Sequence, residues 1–379
     1  MSMGKDTASG VVNCEAKARA RAQTKEQQQA EIDLMSTLQC DTPLYDDFVG
    51  DFLSEYTDTE CRPTVMIARR FCDTWPIPRE RPKEHSEHGI RQGAETASSK
   101  GSATDTKHTI RIGIMDSSFN PPHYCHGALM ECLGTMELAA GDRGQKPKQQ
   151  QQQAQVLDID AFLLLLGSSN ADKEHTGASL EQRMRMVDML ATTIAQDTSA
   201  DTWHVWKCRE QFDQSNLHNL AIGMVNTPRF VDKCTAVADA VRSEWTRITG
   251  QDSTELHVEC YFAMGWDTLI RFFDAKYYTD YAAEINAFFA NGGRIAYARR
   301  GGISDHDVAA FLARDDVHVH LGSVFELTLP KRVRHISSTD VRLAVRDSTQ
   351  SVRDIPPRIL EFVNNCRLYR APGKKVWTS

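Results

Sequence analysis

The stretch from Ile110 to Met130 constrains the fold of this chain more than any other part of its sequence. Residues 110–115 form a short apolar run rich in β-branched side chains, which is typical of a buried parallel strand. Residues 116–122 are turn formers, and from Tyr124 to Leu138 the apolar spacing is helical. A strand, a tight turn and a helix start form a concavity where backbone N–H groups and the helix dipole favour a phosphate. The stretch therefore predicts a nucleotide site.

His123 and His126 lie at this predicted helix start, three residues apart. The spacing places both imidazoles on one face of the helix, so both can face the same anion. The alternative, on these residues alone, is a strand–helix junction that carries two solvated histidines.

A second helix start is predicted in the segment from His335 to Arg342, which reads HISSTDVR. Its hydroxyl side chains are suited to an N-cap, and Arg342 lies one turn into the helix on the face of Ser338 and Thr339. Hydroxyls, N–H groups and a guanidinium at one helix end suit a phosphate chain. A capped surface helix with a solvated arginine is the alternative.

The two segments resemble the signatures of the nucleotidyltransferases related to class I aminoacyl-tRNA synthetases, G-[ST]-F-x-P-x-H-x-G-H and I-S-S-T-x-[IV]-R. The best fit is the nicotinamide/nicotinate mononucleotide adenylyltransferase branch, in a eukaryotic, fungal-like subgroup that reads S-S-F-N-P-P-H. Ser117 and Cys125 stand where the signature has glycine. Both residues are small, so a phosphate can still approach closely.

Weaker matches lie in the same order along the chain. Residues 264–267 resemble the family's G-x-D turn, in which Gly265 allows backbone approach and Asp267 accepts from ribose hydroxyls. Trp266 either packs beside a base or is a hydrophobic plug. Arg299 and Arg300 end a strand near the same edge, where a phosphate contact is one interpretation.

Four further segments extend the resemblance, which runs from about Arg111 to Arg370. Residues 170–173 resemble a polar loop in which a lysine reaches phosphate. Residues 179–186 resemble S-x-E-x-R-x-x-M, in which Arg183 is either a phosphate contact or a helix-surface charge. Residues 226–233 occupy the start of the helix that lines the pyridine base, where Phe230 either stacks on that ring or packs in the core. Residues 355–369 resemble the family's closing helix.

The reaction implied by this resemblance is attack of a mononucleotide 5′-phosphate on the α-phosphorus of ATP, with Mg²⁺ on the triphosphate. The implied catalytic residues are His126, His123, Lys173 and Arg342. The implied ATP contacts are Ser117, Ser118, Phe119, His123, His126, Gly265, Asp267, Ser337, Ser338, Thr339 and Arg342. The implied mononucleotide contacts are Ser118, Phe119, Asn170, Lys173, Arg183, Phe230 and Trp266.

Two alternatives stay open at this point. One is another enzyme of the superfamily, a cytidylyltransferase or a pantetheine-phosphate adenylyltransferase. The other is an ATP-binding interaction protein whose catalysis is weakened by Ser117 and Cys125. The sequence also leaves open the oligomeric state and whether the mononucleotide carries an amide or an acid.

The composition excludes some classes of function. The 379 residues carry a formal net charge of −7, which argues against general affinity for nucleic acid or anionic membranes. The 10 cysteines form no C-x-x-C pair and no cluster with zinc spacing, so we expect no metal site of the protein's own and a reducing, cytosolic or nuclear setting. No apolar run approaches the length of a membrane span.

Alternating apolar strands and amphipathic helices predict an α/β fold, a Rossmann-like doubly wound parallel sheet with helices on both faces. We expect an N-terminal extension over residues 1–106, partly disordered, with two short helices at about 31–76 and a linker over 77–106. The catalytic domain is expected over 107–371, with a low-complexity insertion at 140–155, and a tail over 372–379. Among its elements, strands are expected at 202–206 and 317–321.

Overall fold

Seven strands form the main sheet of the described part of the chain, which in this computed structural model comprises residues 45–56, 62–78, 108–138, 155–168, 177–196, 217–347 and 352–370. These strands are β1 (Val65–Arg70), β2 (Thr109–Ser117), β5 (Ala161–Gly167), β6 (Leu220–Val225), β7 (His257–Gly265), β8 (Gly293–Ala298) and β9 (Val324–Leu327). The short strands β3 (Glu137–Leu138) and β4 (Gln155–Val156) pair separately.

The order of the main sheet is β1-β6-β5-β2-β7-β8-β9, and every pair except β1 with β6 is parallel. Without β1, this is the doubly wound order in which the chain reverses direction between its first and fourth parallel strands, here β2 and β7. The predicted Rossmann-like sheet is therefore confirmed. Ligands of such sheets bind at the carboxyl ends of the strands at this reversal.

The helices described here are α1 (Tyr45–Tyr56), α2 (Tyr124–Gly134), α3 (Leu180–Gln196), α4 (Phe230–Thr249), α5 (Trp266–Phe272), α6 (Tyr281–Ala290), α7 (Asp305–Leu312), α8 (Asp315–His318), α9 (Ser338–Arg346) and α10 (Pro357–Asn365). None of them is long and apolar enough to cross a membrane. Helix α2 was expected to continue to Leu138, but it ends at Gly134 and β3 follows.

Strand β5 shows how the two faces of the sheet are covered. All of its residues are buried, and its side chains alternate between two apolar clusters. Phe162 and Leu164 face the cluster that includes side chains of α2, α3, α9 and α10, while Leu163 and Leu165 face the cluster of α4, α5, α6 and α7. Full burial of each such side chain stabilises the fold by about 1.5–3 kcal/mol.

Two short helices were expected at about 31–76, and the prediction of the second one is wrong for the described residues 62–76. Residues 65–70 form β1, which pairs antiparallel with β6. Apolar residues at helix-like intervals did not reveal this pairing, because the edge of β6 that offers the hydrogen bonds lies far away in sequence. Beyond β1, Trp75 is fully buried and its Nε1–H donates to the Phe162 carbonyl over 3.0 Å. The extension thus completes the sheet.

The strand expected at 317–321 is also wrong. Acidic residues at 315 and 316 occupy the first turn of helix α8, where the helix dipole favours them. Val319 is 72% exposed, so the alternating Val-His pattern does not follow a sheet face. The strand comes later, as β9. Strand β6 was missed, and the strand expected at 202–206 lies outside the described residues.

Candidate active site

The loop between β2 and α2 lies at the carboxyl edge where the strand order reverses. Phe119 has a left-handed backbone with φ of 44°, and its side chain is fully buried against the His126 ring at a centroid distance of 5.0 Å. Its N–H donates to Ser117 Oγ over 3.4 Å. The Phe119 ring therefore anchors the loop, and its side chain is not exposed to a ligand. Its expected contact with ATP and with the mononucleotide stays a prediction.

His123 and His126 stack face to face, with ring centroids 3.7 Å apart. The backbone N–H of His123 donates to His126 Nδ1 over 3.0 Å. Because Nδ1 accepts this bond, a neutral His126 ring carries its proton on Nε2. Nε2 lies 3.3 Å from Ser117 Oγ, at the end of β2. His126 thus presents an N–H donor toward the loop.

Both imidazoles are neutral at physiological pH. Burial, and secondarily the positive charge of Arg300, lowers the pKa of His126 to about 3. Burial, with the charges of His126 and Arg300, lowers the pKa of His123 well below its usual range. His123 Nδ1 is buried and has no hydrogen-bond partner, so the pair retains unmet hydrogen-bonding capacity.

The start of helix α9 is joined directly to this loop. Arg342 Nη1 donates to the Asn120 carbonyl over 2.6 Å, and Ser338 Oγ donates to the Pro121 carbonyl over 2.8 Å. Arg342 Nη2 also donates to Thr339 Oγ1 over 3.1 Å. The two helix starts, more than 200 residues apart in sequence, therefore meet at one place.

Ser337 binds within its own helix, whereas Ser338 and Arg342 bind the loop. Its Oγ accepts from the Asp340 backbone N–H over 3.2 Å and lies 2.6 Å from the Asp340 carboxylate. This is the N-cap of α9. The cap fixes the helix start and so positions Ser338 and Thr339.

The G-x-D turn lies across the reversal point, at the end of β7. Gly265 is the N-cap residue of helix α5, and an added Cβ there would meet no atom within 4 Å, so the edge beside it is open. Asp267 is exposed and its Oδ2 lies 4.0 Å from Arg300 Nη1. Arg299, in contrast, is held by Asp305 and by Glu326. Arg300 is therefore the arginine of this pair that lies beside the histidines and Asp267.

Trp266 is 4% exposed, and its ring packs against Tyr297 and Phe311 at centroid distances of 5.6 and 5.2 Å. Since its faces are covered by core aromatics, it is a hydrophobic plug. The structure thus corrects the assignment of Trp266 to the mononucleotide.

A cavity of about 260 Å³ opens beside the loop, between the carboxyl ends of β2 and β5, the start of α4 and helix α5. Phe230, at the first position of α4, lines it and also packs edge-on against Phe262 at a ring-centroid distance of 5.4 Å. Its packing in the core is therefore confirmed, and its stacking on a pyridine ring stays a prediction. Arg229 lines the cavity too, but its guanidinium is held by Asp232 and Glu284.

At the cavity, Asp116 Oδ2 accepts from Lys233 Nζ over 2.6 Å. This ion pair could not be predicted from the sequence, because the two residues are 117 positions apart. One local signal for a functional residue was available: Asp116 is a charged residue at the end of an apolar strand.

Arg183 is 1% exposed, so its interpretation as a helix-surface charge is wrong. Its Nη1 donates to the Ser118 carbonyl over 3.3 Å, and burial lowers its pKa. Nearby, Tyr369 OH donates to Asn120 Oδ1 over 2.7 Å. Arg183 and the segment after α10 thus hold the loop from behind. Asn170 and Lys173 lie outside the described residues.

A curated relative supports the family resemblance of these motifs. A protein of Schizosaccharomyces pombe named "Putative nicotinamide mononucleotide adenylyltransferase" is 26% identical to this chain over 272 residues, covering 68% of the chain and 86% of the relative. The resemblance to this family is confirmed. No protein-family model matches the chain.

Among solved structures, a "Putative Nicotinate-nucleotide Adenylyltransferase" from Vibrio parahaemolyticus aligns with 67% of this chain and 99% of its own. The identity is 14% and the TM-score is 0.30, which is too distant a similarity to bear on function.

Proposed function

We propose that this chain transfers the adenylyl group of ATP to a pyridine mononucleotide and releases pyrophosphate, a step of NAD biosynthesis. The observation that carries the proposal is the junction of the two helix starts, where Arg342 and Ser338 bind the loop that precedes His123 and His126. A polyanion laid across this junction meets a guanidinium, hydroxyls and an imidazole N–H together.

In this proposal the triphosphate lies along the start of α9, with Arg342, Ser338 and Thr339 at its β- and γ-phosphates. His126 Nε2–H then donates to the α-phosphate, where negative charge grows in the transition state. Neutral imidazole suits this role, because a hydrogen-bond donor is needed and no proton has to be removed. Asp267 accepts from the ribose hydroxyls of ATP.

The mononucleotide phosphate is itself the nucleophile, and it is charged already. The protein therefore has only to align two polyanions and to stabilise the charge on the oxygens. Mg²⁺ is expected to arrive as part of the substrate, bound to the triphosphate. Among the described residues, no cluster of His, Cys, Asp and Glu is arranged to hold a metal ion.

The pyridine ring of the mononucleotide is proposed to occupy the cavity, with Phe230 as its stacking partner. Stacking of this kind contributes about 1 kcal/mol. Ser118 belongs to the loop and lines the cavity, and its backbone carbonyl accepts a hydrogen bond from Arg183. In this proposal the ribose phosphate of the mononucleotide lies near the histidines.

The test is a product assay with the purified chain, ATP and each pyridine mononucleotide, in which the dinucleotide and pyrophosphate are measured. His126→Ala should lower kcat about a hundredfold, the loss of roughly 3 kcal/mol of transition-state stabilisation. The matched control is His318→Ala, on the exposed face of α8, which should keep the activity of the parent.

The same assay separates the alternatives. Pyrophosphate release only with CTP, or only with phosphopantetheine, would move the chain to another branch of the superfamily. ATP binding without pyrophosphate release, with every acceptor, would identify a binding protein. Full activity of His126→Ala would remove His126 from the mechanism.

A further inference from the structure

The ion pair of Asp116 and Lys233 is unusual for its burial at a cavity. The Asp116 side chain is 9% exposed and that of Lys233 is 5% exposed. Both residues line the cavity beside Phe230, and Lys233 Nζ lies 5.0 Å from the centre of the Phe230 ring. The pair therefore faces the same space as the aromatic side chain proposed to stack on the pyridine ring.

The pair is incompletely hydrogen-bonded. Asp116 Oδ2 accepts from Lys233, but Asp116 Oδ1 is buried and has no hydrogen-bond partner. A buried carboxylate oxygen without a donor is costly, and native structures rarely retain one without a reason. A ligand in the cavity that carries an N–H group would supply the donor. The carboxylate can be approached from the cavity, because Asp116 lines it and its side chain remains 9% exposed.

We propose that Asp116 and Lys233 read the substituent on the pyridine ring and select the carboxamide over the carboxylate. The inference rests on the proposed function and names the substrate of that same site. In it, the amide N–H donates to the Asp116 carboxylate, and the amide carbonyl accepts from Lys233 Nζ. Each end of the substituent thus meets a partner of the opposite hydrogen-bonding type.

A carboxylate fits this pair poorly. One of its oxygens can accept from Lys233, but the other has no hydrogen and brings a negative charge beside Asp116. Two carboxylates in one buried site repel each other, and one must take up a proton or move away. Sites built to bind a substrate N–H reject analogues that lack it, because their own polar groups are left unpaired.

The first experiment uses the unaltered chain with three mononucleotides whose rings carry a carboxamide, a carboxylate or a methyl ketone. The methyl ketone keeps the carbonyl that accepts from Lys233 but has no N–H for Asp116. We expect kcat/KM to be about a hundredfold higher for the carboxamide than for either analogue. Equal values for the carboxamide and the methyl ketone would overturn the role of Asp116 without any variant.

The second experiment uses Asp116→Asn, in which the amide oxygen of the new side chain still accepts from Lys233. Its NH₂ group can donate to a substrate carboxylate, and the negative charge is gone. The preference for carboxamide over carboxylate should fall at least about tenfold. The matched control is Glu259→Gln, which removes one carboxylate charge from an ion pair with Arg111 near the start of β7. That variant should keep the parent's preference.

The outcomes distinguish this inference from the function on which it rests. A preference for the carboxamide in the parent that falls in Asp116→Asn supports both. Dinucleotide from the carboxylate at an equal or higher rate, or an unchanged preference in Asp116→Asn, overturns the inference and leaves the function standing. No dinucleotide from any of the three overturns the function and the inference together.

Discussion

His126 enters the site as a neutral hydrogen-bond donor rather than as a cation. Its Nδ1 is occupied by the His123 backbone, and burial with Arg300 nearby lowers its pKa to about 3. The positive charge at the junction then comes from Arg342 and Arg300. A bound triphosphate would favour the protonated rings, since an opposite charge at short range raises the pKa of a histidine.

The buried histidines should make stability depend on pH. In the unfolded chain their pKa is about 6.5, so below that value the unfolded state binds more protons than the folded state. The contribution of these histidines to the free energy of unfolding is therefore fully present above their unfolded-state pKa. It is lost as the pH falls toward their folded-state pKa. For His126 alone the loss is about 1.4 kcal/mol between about pH 7.5 and about pH 5.5.

Urea unfolding of the parent and of His126→Asn at these pH values measures this loss. The variant should lose less free energy of unfolding than the parent by about that amount. The exposed His318→Asn should follow the parent. Equal losses in the parent and His126→Asn would mean that His126 is not neutral and buried in the folded chain.

At the scale of elements, two helix starts are held together by side chains of α9. Arg342 bridges the Asn120 carbonyl and Thr339 Oγ1, and a lysine cannot make this forked contact. We expect Arg342→Lys to raise KM for ATP about tenfold and to lower kcat, because a hydrogen bond to a charged group is worth about 1.5–3 kcal/mol.

The control is Arg346→Lys on the same helix. The Arg346 guanidinium is exposed and forms an ion pair with the neighbouring Asp347. This variant should retain the parent KM for ATP. An unchanged KM in Arg342→Lys would show that the triphosphate does not lie along α9. Isothermal titration with a non-hydrolysable ATP analogue gives the same comparison without turnover.

The sequence was informative wherever the signal is local. Both helix starts could be predicted from adjacent residues. The first follows an apolar strand and turn formers, and the second carries capping hydroxyls. The Asp116–Lys233 ion pair and the burial of Arg183 could not, because they depend on which elements pack together. Strand β9 was misplaced for a related reason, since the Val-His alternation at 317–320 fits a strand until tertiary packing exposes Val319.

At the scale of the whole molecule, β1 connects the two faces of the sheet. Arg69 binds Asp188 of α3 on one face, and Arg70 binds Glu244 of α4 on the other. The edge strand of the sheet, β1, therefore lies outside the family resemblance and pairs with β6. One helix on each face of the sheet, α3 and α4, is thus joined to β1 by an ion pair.

Trp75 offers the sharpest test of how far the sheet depends on the segment before residue 79. Its ring is fully buried, and its indole N–H satisfies the Phe162 carbonyl of β5. Trp75→Ala should lower the free energy of unfolding by about 3–5 kcal/mol, from lost burial and the cavity left behind. Trp245→Ala, at a partly buried position on α4, should cost clearly less. Denaturant unfolding followed by circular dichroism measures both. If Trp75→Ala were as stable as the parent, the N-terminal segment would be an appendage, and the sheet would hold without it.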